Sequence, residues 1–178
     1  MAMTLKAAMP LAQDGAGQQA VSIFRHGYER ALRRSLHLFW RFSRGLTLGV
    51  RAVVVDPQGR VFLVRHSYIA GWHLPGGGVE PGETILAALT RELCEEGNIV
   101  PTANPVLHGM FFNRGASDRD HVAVFVVRDF RQEKAPQPNM EITGHGFFGP
   151  EALPEGATEA TRARIAEVLH GRPAGSEW

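Results

Sequence analysis

Cysteine occurs once in this sequence, at Cys94, so there is no internal disulfide and no cysteine pair to hold a zinc ion. That usage fits a reducing cytosol, and a cytoplasmic location is expected. There is no run of about 18 apolar residues, which excludes a membrane-spanning helix. Behind Lys6 there is no apolar stretch, residues 10–20 being mostly Gln, Gly, Ala and Asp, so a signal peptide is not expected. Internal repeats are absent, and low complexity is confined to the first twenty residues. What is present is enough to build a core. The chain has 178 residues, 44% hydrophobic and 21% charged, the length of one domain with an added segment.

The net charge of +1 hides an asymmetry. Residues 1–50 carry seven basic side chains against Asp14 and Glu29, a balance of +5, so the remaining 128 carry −4. A basic front and a mildly acidic body point to two functional parts, the second suited to gathering divalent cations. Residues 1–19 read as a flexible lead. Over 20–47, Val21, Phe24, Tyr28, Leu32, Leu36, Phe39 and Phe42 recur every three or four positions, the period of an amphipathic helix with its arginines mostly off the stripe. Such a stripe needs a partner: the rest of the chain or a second copy (a homodimer) is favoured over a membrane or RNA contact.

From residue 48 the period changes. Leu48–Val55, a turn at Asp56–Gly59 and Val61–Val64 predict a hairpin. Residues 67–83 hold too many glycines and prolines for regular structure and form a long loop. Thr84–Glu96 predicts a helix stopped at Gly97-Asn98. Val106–Asn113, His121–Phe130 and Glu141–Phe148 predict strands, and a last helical stretch begins at Pro150 and continues through Thr158–Leu169. Strands interleaved with helices imply an α/β domain with a mixed sheet over 48–172, ahead of a tail at 173–178.

On the 84–97 helix, Glu92, Glu95 and Glu96 sit at i, i+3 and i+4, beside a stripe of Ile85, Leu86, Leu89 and Leu93. Carboxylates crowded at the edge of a buried face repel one another, and the cluster becomes favourable when it binds a hard divalent cation. An isolated E-x-x-E-E is more often a solvated acidic face, so the surroundings decide. They run Gly77, five residues, Glu83, seven residues, then Arg91-Glu92-Leu93-Cys94-Glu95-Glu96-Gly97-Asn98-Ile99. This resembles the Nudix box: glycine, five residues, glutamate, seven residues, Arg-Glu, an aliphatic, any residue, Glu-Glu, any residue, glycine, an aliphatic. Eight of nine defined positions agree over 23 residues. The departure is Asn98 in place of glycine, and Asn is the residue that best tolerates a left-handed cap.

The resemblance covers roughly residues 48–170 and implies an α/β/α sandwich that hydrolyses a nucleoside diphosphate linked to another moiety, with Mg2+ or Mn2+. It makes Glu92, Glu95 and Glu96 metal ligands, with the Gly76 carbonyl beside them, and has Glu83 pair with Arg91. Gly77 and Gly78 would let backbone approach phosphate. The general base stays open between Glu92 and Glu141. Arg65 at a strand end, and Asp120 between two strands, are candidate substrate contacts, against a surface charge for the first and a solvated turn for the second. Phe111, Phe112 and Asn113 fit a base platform or the core. The other histidines are scattered without metal-ligand spacing, and nothing activates Cys94 as a nucleophile. The substrate stays open, since the positions around Arg114 and Gly115 carry neither the proline linked with ADP-ribose enzymes nor the tyrosine linked with dinucleoside polyphosphate enzymes. Two alternatives belong to other classes: a nucleotide-binding regulatory module without catalysis, and a membrane- or RNA-associated protein acting through its basic N-terminal segment.

Overall fold

The computed structural model describes residues 45–137 and 140–178. The lead and nearly all of the amphipathic segment expected at 20–47 lie outside the described residues. The elements run β1 (Thr47–Val54), β2 (Val61–His66), α1 (Ile85–Gly97), β3 (Val100–Pro101), β4 (Val106–Phe112), β5 (Asp120–Val127), β6 (Phe130–Arg131), β7 (Ile142–Phe148), a 3-10 turn (Pro150–Ala152) and α2 (Glu159–His170). Among the described residues no helix is long and apolar enough to cross a membrane.

β1 lies parallel to β5, and β4 lies antiparallel on the far side of β5. The near-continuous apolar run of β1 follows from burial on both faces. Val50, Ala52 and Val54 meet Leu89 and Leu93 of α1, while Val53 and Val55 face the side where Ile165 of α2 packs. The two helices therefore cover opposite faces of the sheet, and the mixed α/β architecture expected from the sequence is present.

The predicted hairpin is not. Its turn forms as read, with Asp56 Oδ1 accepting from the Gln58 and Arg60 amides at 3.0 and 2.8 Å. Beyond a single bridge at Val55–Val61 the two strands separate. β2 instead pairs antiparallel with β7. The free edge of β1 is taken by the glycine loop: the Val50 and Ala52 amides donate to Gly77 and Pro75, and the Val79 amide to Leu48, at 2.8–2.9 Å. Long-range partners on both edges outcompete the local one.

Other boundaries shift for local reasons. The strand expected over His121–Phe130 breaks at Arg128-Asp129, and Phe130 restarts as β6 against β3. The last helical stretch divides at Leu153–Gly156, where Pro154 disfavours helix before it and Gly156 takes φ +80°. Thr158 then caps α2 through its side chain. Residues 176–178, expected in a tail, extend the sheet instead: the Phe112 amide donates to Ser176 and the Trp178 amide to Phe112, at 2.8 and 3.0 Å.

α1 starts at the Thr84 cap as expected, and Asn98 ends it with φ 50° and ψ 31°. That is the left-handed cap, closed by the Asn98 amide on Cys94 and the Ile99 amide on Leu93. Asn98→Gly should therefore shift stability by no more than about 1 kcal/mol, relief of strain offsetting a looser unfolded chain. Urea denaturation and turnover, both close to the parent, are the check. A large activity change would reveal a substrate role for Asn98.

Candidate active site

α1 carries the acidic triplet in graded environments. Leu89, Leu93 and Glu96 follow one another along the inward face, so Glu96 extends the apolar stripe into the core and is only 4% exposed. Glu92 is mostly covered, whereas the Glu95 side chain is 61% exposed. Leu86, expected in the stripe, points outward and Ala88 takes its place.

Arg91 braces this helix against the loop before it. Its Nε and Nη2 donate to the two oxygens of Glu83 at 3.1 and 3.2 Å, a forked pair joining residues eight apart. Nη2 also donates to the Gly78 carbonyl at 3.2 Å, and Nη1 to Glu92 at 2.7 Å and Glu95 at 3.4 Å. The hydrogen bond from Arg91 holds the Glu83 carboxyl below its usual range, and the same contacts raise the Arg91 pKa further.

The glycine loop passes directly over the acids. The Gly76 amide donates to Glu96 Oε2 at 2.7 Å. Gly76 takes φ +139°, and a Cβ there would collide with the Val50 carbonyl; a Cβ on Gly77 would collide with the Glu92 carboxylate. Both positions thus need bare backbone, and at Gly77 the motif specifies it. The Arg51 guanidinium donates to the carbonyls of Leu74 and Gly76, holding the loop from below.

Gly76, Gly77, Gly78, Glu92, Glu96, Asp120 and Glu141 are brought together on an open cleft of about 750 Å³, shared with Thr47, Arg51, Tyr68, Asn113, Val122 and Trp178. Glu83, Arg91 and Glu95 are not among its lining residues; Arg91 and Glu83 stand behind it as the brace. Arg65 does not line it either. Strand alternation in β2 sends His66 inward and leaves Arg65 exposed, on a neighbouring depression with Tyr68 and Trp72. Asp120 accepts from Thr47 Oγ1 at 2.6 Å and from Asn113 Nδ2 at 2.7 Å, tying the ends of β1, β4 and β5 together. Phe111 is core, 1% exposed.

Electrostatics set this cleft apart. Among the described residues, four carboxylates line it against one guanidinium, that of Arg51. Glu96 is pushed up to about 8, first by burial and then by Glu92 and Glu141, against the opposing pull of the Gly76 amide and Arg51. A buried acid this reluctant to ionise among like charges is a site short of positive charge.

Arg51, Tyr68, Trp178 and His66 are among the lining or adjoining residues that escaped the sequence reading. Arg51 left a signal, as the lone charge inside the apolar strand TLGVRAVV. Tyr68 donates its hydroxyl to Glu141 at 3.2 Å, and Trp178 is folded in from the C-terminal residues. His66 is 5% exposed, with Nε2 at 3.4 Å from Glu96 Oε1. Its pKa is lowered by burial, and then by Arg51 and His73. No spacing motif links positions 66, 96 and 141.

Comparison with known proteins bears on this arrangement. The NUDIX domain family model matches residues 45–169. An RNA pyrophosphohydrolase of Legionella pneumophila is 44% identical over 52 residues, 29% of this chain and 30% of that protein. The chain therefore spans under a third of the length of that relative. A MutT-like protein of Streptomyces ambofaciens is 29% identical over 125 residues, 70% of this chain and 78% of that one. A solved MutT NUDIX hydrolase of Burkholderia pseudomallei superposes with a TM-score of 0.59 at 25% identity, covering 69% of this chain and 98% of the other.

Proposed function

The chain belongs to the NUDIX domain family, and from that premise we propose that it hydrolyses a phosphoanhydride bond in a nucleoside diphosphate linked to another moiety, with a divalent cation. The observation that carries this is the charge of the cleft. Among the described residues lining the cleft, a diphosphate approaching Glu92, Glu141 and Asp120 beside the buried Glu96 meets Arg51 as its one guanidinium, and cations arriving with it would offset that repulsion.

The donors present fit such an ion. Glu92 and Glu96 offer carboxylate oxygens and Gly76 the second lone pair of a carbonyl that also accepts from Arg51, all hard ligands, while Glu95 stays exposed outside the cleft lining. Mg2+ or Mn2+ bound there would neutralise the diphosphate and activate water. The chain's own residues do the rest. The Arg91–Glu83 brace fixes the helix and the glycine loop in one geometry, so ligands on both arrive preorganised. Glu92 or Glu141, both on the cleft, takes the proton of the attacking water. Gly77 and Gly78 leave room for a phosphate against the backbone. Nucleotide sugars, oxidised nucleoside triphosphates and capped RNA ends share this chemistry. A cytoplasmic setting, where an exposed thiol such as Cys94 stays reduced, suits the reading.

The purified chain is to be tested on a panel of nucleoside diphosphate derivatives and triphosphates, scoring release of nucleoside monophosphate and phosphate. Activity should vanish in EDTA and return with millimolar Mg2+ or Mn2+. Full turnover in chelator ends the proposal.

A further inference from the structure

His66 is not accounted for by the hydrolytic reading. Its side chain is 3% exposed, and among the described residues neither buried ring nitrogen has a hydrogen-bond partner. Leaving a buried polar group unsatisfied costs about 1–3 kcal/mol, so its position calls for a ligand. The ring is held between neighbours, with Tyr68 at 5.1 Å and His73 at 5.8 Å between centroids. Its Nε2 lies 3.4 Å from Glu96 Oε1, the carboxylate oxygen opposite the one bound by the Gly76 amide. One ligand atom each from His66, Glu96 and Glu141 lie within 4.8 Å of one another.

We infer that His66 is a nitrogen ligand in this centre, forming with Glu96 and Glu141 a mixed nitrogen–oxygen site that takes a first-row transition ion, Mn2+, Fe2+, Co2+ or Zn2+, in preference to Mg2+. The inference rests on the cleft being a metal centre and goes further in naming the ion class. Oxygen-only sites suit Mg2+, whereas an imidazole donor shifts preference toward transition ions. Donors around such an ion stand about 3–4 Å apart, so a cluster already this tight closes by rotamer changes alone. Glu141 supplies the movable arm, which leaves the proton of the attacking water to Glu92. Glu141 is exposed on the chain entering β7 and is steered by the Tyr68 hydroxyl.

The test uses the full chain, stripped of metal and reloaded with Mn2+, read by pulsed electron paramagnetic resonance. A nitrogen coupling is expected in the parent and absent in His66→Gln, with both proteins matched by circular dichroism. Calorimetric titration should show Mn2+ affinity falling about tenfold or more in His66→Gln, with Mg2+ affinity within about twofold of the parent. An oxygen-only spectrum in the parent overturns the inference. So does an equal loss for both ions, the mark of a packing role. Hydrolysis in Mg2+ together with an oxygen-only spectrum sinks the nitrogen ligand but spares the hydrolase; nitrogen coupling without hydrolysis of any substrate does the reverse.

Discussion

Glu96→Gln should lower turnover by about three orders of magnitude and yet leave the metal-free protein more stable than its parent at pH 8. The two effects have one cause. Glutamine keeps the shape and the hydrogen bond from the Gly76 amide, but it removes the anionic ligand on which the cation depends. The stability gain depends on pH with a definite sign. The folded-state pKa of Glu96 is raised from 4.5 to about 8, so between those values the folded chain holds a proton that the unfolded chain has released. Its contribution is therefore fully favourable below 4.5 and is lost as pH climbs toward 8. Glutamine never titrates, so the advantage of the variant should grow across this window to a few kcal/mol, about 10 °C in Tm. His66, with its lowered pKa, tilts the other way by costing stability below its ordinary value of 6.5, but it is common to both proteins. Thermal melts in EDTA at pH 5 and pH 8 measure the difference. Unchanged turnover with a sharply lower Tm would make Glu96 a structural residue and displace the site.

The second large effect lies on the other face of the sheet. Arg164→Met should destabilise the protein by about 3–5 kcal/mol, roughly 10–15 °C in Tm, while leaving the cleft's glutamates and the glycine loop in place in molecules that stay folded. Arg164 is 3% exposed and its Nη2 donates to Glu167 at 2.6 Å, while Nη1 donates to the Glu177 carbonyl at 3.0 Å. Its guanidinium also lies 3.7 Å from the centroid of the Phe111 ring. Removing it strands Glu167, itself 8% exposed, with only His108 and the Gly175 amide for partners. Arg164→Met combined with Glu167→Leu should recover more than half the loss, because no uncompensated charge then remains buried. Calorimetric unfolding of parent, single and double variants at neutral pH decides it. A single-variant cost under about 1 kcal/mol would show the pair to be open to water.

What the residues declared by themselves was local. Thr84 and Asn98 bound α1 because a capping hydroxyl and a left-handed cap are decided within one helical turn. Arg91 and the glutamate triplet were legible because helical periodicity places them relative to one another whatever the rest of the chain does, whereas Glu83, in the loop before the helix, was legible through the family resemblance. The pairing of β1 with β5 and of β2 with β7 was not legible, since strand partners are chosen by which buried faces fit over long separations, and the adjacent turn carries no vote against them. The same limit hid His66, Arg51 and Trp178. A histidine becomes a candidate ligand only when one strand end, one helix and the chain entering another strand converge on a common point, and that convergence is a property of the packed core alone.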